Sequence, residues 1–187
     1  QFIGDVEWGE LDYLIIDFPP GTSDEPLTVA QSLPDIDGMV IVTTPQQVAL
    51  LDSRKSITFS ESLKVPVLGV VENMSGFTVN GTTSPGAEVN IAAPGGKTLA
   101  TTADDEGKFS VKLDIFKEGG GKETAEEFGV PFLGALPFDP GFVRGGDDGV
   151  HRIVSEPEGP SAKAFAKVVT AIQDQLSDGA DGGLEII

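Results

Sequence analysis

An α/β fold with a mostly parallel sheet, flanking helices and a small antiparallel β insert is what three features of this 187-residue sequence predict. Short apolar runs alternate with segments of helical periodicity, the pattern of βαβ units joined into a parallel sheet. The alternation stops at Thr78 and gives way, as far as Lys112, to Gly, Thr, Asn and Pro among short alternating stretches. Beyond Lys112 the α/β pattern resumes. The expected organisation is an α/β domain over 1–77 and 113–176, incomplete at its N-terminus, a β-meander insert over 78–112, and a mobile Gly/Asp tail over 177–187.

Each element has a local reason. Leu11 to Ile16 is apolar, with no room for a helical turn before Pro19-Pro20, so it reads as a buried strand delivering Asp17 at its C-terminal end. Pro19, Pro20 and Gly21 then force a turn. Ser23 or Asp24 can cap a helix to about Leu33, with Pro26 in its first turn, where a missing N–H costs nothing. Gly38 to Thr44 is a second strand, closed by Pro45. Gln47 to Leu63 carries Val48, Leu51, Ile57 and Leu63 at helical spacing, and Val65 to Asn73 is a third strand.

In the insert, Glu88–Ile91, Lys97–Ala100 and Lys108–Lys112 read as three strands, with Asp104-Asp105-Glu106-Gly107 turning between the last two. Three strands scarcely stand alone, so they should pack on the main domain or a partner. Gly119-Gly120-Gly121-Lys122 leads into a helix through Phe128, and Val130 to Pro137 reads as a returning strand. Ser161 to Leu176 is a final amphipathic helix with Ser161 as its candidate cap.

Composition excludes several classes of function. Twelve Lys and Arg face 30 Asp and Glu, a formal net charge of −18 that repels nucleic acid and anionic membrane surfaces. No apolar stretch approaches the ~20 residues of a membrane span. No cysteine is present, which removes disulfides, thiolate metal sites and cysteine nucleophiles. No secretory signal is visible, so cytoplasm is the default location. Because the chain reaches a core strand within about a dozen residues, its natural N-terminus is expected upstream.

Asp17 is the first candidate site residue. Ligands of open α/β sheets bind outside the carboxyl ends of the strands, where a carboxylate can hold a metal-bound water, the Walker B layout of nucleotide hydrolases. A strand ending in Asp before Pro and Gly is also an ordinary way to stop a strand. Asn73 has the same ambiguity, between a functional amide and a turn cap. Asp104, Asp105 and Glu106 could suggest an acidic metal binder, but calcium-loop spacing is absent and such turns are usually just solvated.

Four stretches together resemble the Mrp/ApbC-type iron-sulfur cluster carriers of the MinD/ParA-like P-loop NTPase family. They are Leu11–Asp24 (LDYLIIDFPPGTSD), Val42–Leu50 (VTTPQQVAL), Pro66–Phe77 (PVLGVVENMSGF) and Phe116–Pro140 (FKEGGGKETAEEFGVPFLGALPFDP). The resemblance implies the C-terminal part of a P-loop NTPase/Rossmann-like domain. It implies ATP and Mg2+ as cofactors, with Asp17 as the carboxylate of the magnesium water shell and Pro20-Gly21 as the switch that senses the γ-phosphate. It implies Asn73 as the amide that reads adenine, and Pro137 and Asp139 as the loop closing over the base. A homodimer, iron-sulfur client proteins and ATP hydrolysis follow from the same resemblance.

Two departures limit those expectations. The family's lysine-rich Gly loop for phosphates should precede Leu11 by roughly a hundred residues, in a domain of the usual size. Ile91 to Thr98 ends in Gly-Lys-Thr but begins with Ile where a Gly belongs, and Gly119-Gly120-Gly121-Lys122 is followed by Glu123 in place of Ser or Thr. The family's Cys-x-x-Cys pair, which carries the iron-sulfur cluster just after the segment matching Phe77, is replaced by Thr78-Val79-Asn80-Gly81. His151 reads as a surface residue. The expected function is therefore that of an ATP-binding carrier fragment without turnover or cysteine ligation of its own. The alternative is a non-catalytic scaffold whose insert binds a protein or glycan.

Overall fold

The computed structural model describes residues 3–19, 24–33 and 35–181. Three parallel strands form its central sheet in the order β1 (Met39–Thr43), β2 (Val67–Glu72), β7 (Phe132–Ala135). Val40, Ile41, Val42 and Thr43 pair with Gly69, Val70, Val71 and Glu72, and Val71 and Glu72 pair in turn with Gly134 and Ala135. β2 is thus hydrogen-bonded on both sides, and its run of Val, Leu and Gly is what a strand covered on both faces requires.

Successive side chains of β2 point to opposite faces and build two cores. Val70 packs with Ile41, with Ile57 of α2 (Gln47–Ser62) and with Ala125 of α3 (Gly120–Phe128). Val71 packs with Leu133, Leu136 and Val168, the last from α6 (Pro160–Asp181). Helices therefore cover both faces of the sheet.

The inward face of α2 consists of Leu50, Ser53, Ile57 and Ser60, while Val48 and Leu51 are exposed. Ser53 and Ser60 can be buried because each hydroxyl donates to the carbonyl four residues back, on Ala49 and Ser56. Small satisfied hydroxyls let the helix approach the sheet, so apolar spacing alone points to the wrong face.

The helix expected after the first turn is α1 (Asp24–Ser32). The strand expected over Leu11–Ile16 does not form. That segment is irregular, and Leu11, Tyr13 and Leu14 are largely exposed, with Ile15 88% exposed. A strand is held by the N–H and C=O groups of a neighbour, and no described strand pairs with this one. Asp17 is consequently exposed in a loop instead of ending a buried strand.

The insert also departs from the expected meander. Four strands are present: β3 (Phe77–Thr82), β4 (Glu88–Ala93), β5 (Lys97–Thr102) and β6 (Lys108–Leu113). β3 pairs with β6 and β4 with β5, both antiparallel, so a hairpin is nested between the strands of an outer pair. Asp104 makes the return turn, its Oδ1 accepting from the Glu106 and Lys108 backbone at 2.9 and 2.8 Å. Pairing β3 with β6 brings the two ends of the insert side by side where it leaves the sheet, at Phe77 and Leu113.

Two short helices not anticipated from the sequence, α4 (Gly141–Asp148) and α5 (Arg152–Ser155), follow β7. Ser161 does not cap α6. It lies within the helix, and its hydroxyl donates to Asp139 Oδ2 at 2.7 Å. The helix continues through Asp181, so 177–181, expected as tail, is helical, and 182–187 lie outside the described residues.

Candidate functional site

The C-terminal ends of the three parallel strands converge through a short chain of backbone hydrogen bonds. Asn73 N–H donates to the Thr43 carbonyl at 2.7 Å, joining the ends of β1 and β2. Leu136 N–H donates to the Glu72 carbonyl at 2.7 Å and Ser75 N–H to the Leu136 carbonyl at 2.9 Å, joining the ends of β2 and β7. Asn73 and Pro137 are thereby fixed next to these junctions, both half-buried. Asn73 Oδ1 accepts from the Met74 N–H at 2.8 Å, which supports the left-handed turn at Met74 (φ 56°) and leaves the amide NH2 as a donor pair.

Asp139 is held by its own chain. Oδ1 accepts from Gly141 N–H at 2.7 Å, and Oδ2 accepts from Ser161 Oγ at 2.7 Å and Arg152 Nε at 3.1 Å. Burial alone would raise its pKa. The hydrogen bonds from Ser161, Gly141 and Arg152, with the charge of Arg152, outweigh that and hold the carboxyl below its ordinary value. Arg152 also pairs with Glu156. Asp139 therefore ties the loop after β7 to α4, α5 and α6.

Of the other expected site residues, Asp17 is exposed in its irregular segment, and Pro20 and Gly21 lie outside the described residues. Asn73, Pro137 and Asp139 are brought to one end of the sheet. No described strand carries Asp17 to join them. His151 is exposed, as expected.

Neither glycine-lysine motif is a phosphate loop. Pro94–Gly96 is a 3-10 turn at the tip of the β4–β5 hairpin, with Lys97 and Thr98 already in β5 and no helix after them. Gly119-Gly120-Gly121 does open a helix, α3, but a carboxylate already occupies its N-terminus. Glu72 Oε1 accepts from Gly119 N–H at 3.0 Å and Oε2 from Gly121 N–H at 2.7 Å. An internal anion thus takes the amides and helix dipole that would attract a phosphate.

The glycines serve close packing. A Cβ on Gly121 would lie 2.9 Å from Glu72 Cβ and 3.2 Å from Thr43 Cγ2, and one on Gly120 would lie 2.7 Å from Leu50 Cδ1.

Glu72 and Phe138 are the residues that sequence reasoning missed. Glu72 is 1% exposed, and its Oε1 accepts a third hydrogen bond from Ser75 Oγ at 2.6 Å. The available signal was an acidic residue ending an otherwise apolar strand just before Asn73. The Phe138 ring meets Phe77 edge-on at 5.7 Å and Phe116 at 6.2 Å, one from each stem of the insert.

Among the described residues no group of three or more His, Cys, Asp and Glu side chains could cage a metal ion. Thr78 to Gly81, which stand in place of the Cys-x-x-Cys pair of the resembled carriers, are part of β3. Two surface hollows, of about 500 Å³ beside Arg54 and Phe59 and about 300 Å³ between Phe142 and Arg152, are not lined by Asn73, Pro137 or Asp139. No helix among the described residues is long and apolar enough to cross a membrane.

Comparison with known proteins gives the fold a family. A ParA family model described as NUBPL iron-transfer P-loop NTPase matches residues 1–107 and 102–173, its two segments meeting inside the insert. An iron-sulfur cluster carrier protein of Methanocaldococcus jannaschii is 39% identical over 94% of this chain and 51% of its own length. Its counterpart in Saccharolobus solfataricus is 41% identical over 92% of this chain and 49% of its own. The chain therefore spans about half the length of these curated relatives. A solved nucleotide-binding protein from Archaeoglobus fulgidus, in complex with ADP and with cobalt found in it, superposes with a TM-score of 0.53 at 35% identity. That superposition covers 86% of this chain and 53% of the other.

Proposed function

Because the chain belongs to the ParA/NUBPL family of iron-transfer P-loop NTPases, as a relative of the Mrp/ApbC-type iron-sulfur cluster carriers, we propose that it is the adenine-reading, C-terminal part of an ATP-binding cluster carrier. The observation that carries this reading is the junction of strand ends that fixes Asn73 between Thr43 and the Leu136-Pro137 turn. In an α/β sheet that edge is where nucleotides bind.

Asn73 offers adenine its amide NH2 and the second lone pair of Oδ1, the first being taken by Met74 N–H, with Pro137 and Asp139 shaping the loop over the base. Asp17 suits magnesium only through water, because the ion keeps several waters and takes one or two carboxylates beside the phosphates. Bound with ATP, the ion would supply neutralisation of phosphate charge, and Pro20-Gly21 would be the segment that senses the γ-phosphate. Without a phosphate loop in its sequence, this chain alone binds nucleotide weakly and does not turn it over. Cluster ligation by cysteine is impossible for these 187 residues. A homodimer in the cytoplasm is the expected setting.

A second reading has one observation in its favour. The insert forms two strand pairs where the cluster loop is expected, which suits a non-catalytic scaffold that contacts a protein or glycan. Calorimetric titration with Mg-ATP of the wild type, Asp17→Ala and Asn73→Ala separates the readings. Heat with a Kd near 1 mM, weakened in both variants, supports the nucleotide site. Micromolar affinity would contradict the weak-binding claim, and no heat at millimolar nucleotide would favour the scaffold.

A further inference from the structure

Glu72 is a buried carboxylate without a cation among its described hydrogen-bond partners. Its three partners are Ser75 Oγ and the N–H groups of Gly119 and Gly121. Those partners belong to the two chain segments that connect the insert to the sheet. Ser75 stands on the outgoing stem, two residues before β3, and Gly119 and Gly121 on the returning stem, where α3 begins.

The backbone of Glu72 is equally committed. It pairs with Thr43 in the β1–β2 ladder and accepts from Leu136, and the next residue is Asn73. One side chain thus touches both stems, while its main chain holds the strand-end junction. The stems are clasped to the same region twice more. Phe138 N–H donates to the Gly76 carbonyl at 2.8 Å, and its ring lies between Phe77 and Phe116. Within the returning stem, Lys112 and Glu118 pair at 2.8 Å.

We propose that Glu72 is a positioning residue that couples the nucleotide edge of the sheet to the β insert, so that occupancy beside Asn73 changes the geometry of the insert's stems. The proposal rests on the nucleotide reading above. The physical basis is the packing around the carboxylate. A shift of Asn73 displaces Glu72 directly, and the stems cannot stay behind, because Glu72 Cβ leaves no room even for a methyl group on Gly121. Two sites that bias one shared element are coupled reciprocally, by typical factors of roughly 5 to 150 in affinity. Whatever the insert touches therefore alters nucleotide affinity by the same factor as nucleotide alters the insert's.

Glu72→Gln keeps the shape of the side chain but replaces one acceptor oxygen by an NH2 group, which cannot accept from the glycine amides or Ser75. The test is two-dimensional NMR of the whole chain titrated with Mg-ADP to millimolar concentration. The Asn73 side-chain amide reports binding, and the Gly119 and Gly121 amides report coupling. In the wild type all three signals should move along one titration curve. In Glu72→Gln the Asn73 signal should still move, while the glycine signals stay. Ser75→Ala, which deletes only a hydroxyl, should give an intermediate response and serves if the Gln variant does not fold.

Movement of Asn73 without the glycines in the wild type would overturn the coupling and leave the nucleotide reading intact. Glycine signals that still follow nucleotide in Glu72→Gln would overturn the role of Glu72. Silence of all three signals would overturn both readings.

Discussion

Leu11–Ile16 and Val67–Val71 are both short apolar runs that end in an acidic residue, and only the second is a strand. Val67–Val71 has β1 on one side and β7 on the other, so its backbone groups are paired and Val70 and Val71 each reach a core. Leu11–Ile16 has no such neighbour among the described strands. Its contact with α6 is a long hydrogen bond, Gln173 Nε2 donating to Tyr13 Oη at 3.5 Å. An apolar run becomes a strand when a neighbouring segment pairs with its backbone, and that condition is not written in the run itself.

Two alanine substitutions should break the comparison most clearly. Ile57 is fully buried against Val70, and Ile57→Ala should lower unfolding stability in urea by about 2–5 kcal/mol. Ile15→Ala should change it by under about 0.5 kcal/mol, as for surface positions generally. Equal losses would mean that Ile15 is packed in solution, and that the first segment behaves as a strand after all.

A smaller effect tests how tightly the second strand's end is built. Gly121→Ala forces a methyl group against Glu72 and Thr43 and should cost about 1–3 kcal/mol. Gly146→Ala, in α4 with open space at the same position, should instead stabilise by up to about 1 kcal/mol. Thermal melts of the two variants that move in the same direction would show that the crowding at Gly121 is relieved at no cost.

Most of the fold was legible because it rests on local periodicity. The positions of β1, α2, β2, α3, β7 and α6 follow from apolar spacing and from the Pro and Gly residues that bound it. What was not legible depends on distant partners. Nothing between Phe77 and Leu113 states that β3 pairs with β6 across a nested hairpin, because pairing order is a long-range property. Phe77–Thr82 carries Phe, Thr and Val, but Asn80 and Gly81 interrupt it, and its pairing with β6 holds it as a strand. Apolar spacing alone does not define the inward face of α2, because Ser53 and Ser60 on it satisfy themselves within the helix.

At the candidate site, Asn73, Pro137 and Asp139 could be named from the family resemblance. Glu72 could not, since its value lies in three donors, two of them 47 and 49 residues away.

The comparison sharpens further at Asp139, the acidic residue beyond β7, which is engaged on both oxygens where Asp17 is exposed. Its pKa in the folded protein is lowered, so the carboxylate contributes stability that is fully present above the unfolded-state value of about 4 and is lost as pH falls through the folded value. Asp139→Asn removes the charge and one acceptor while keeping the shape. Near pH 7 it should cost about 1 kcal/mol, reduced from the usual value for charged hydrogen bonds because Arg152 is only half-buried and its other partner, Glu156, is exposed. Below pH 4 wild type and variant should converge, since protonation of Asp139 removes the same charge. Asp17→Asn, at an exposed carboxylate, should change unfolding stability near pH 7 by under about 0.5 kcal/mol. Urea midpoints collected from pH 2.5 to 7 decide the point, and a constant gap between wild type and Asp139→Asn would mean that the carboxylate's charge contributes nothing to holding α4, α5 and α6 against the strand end.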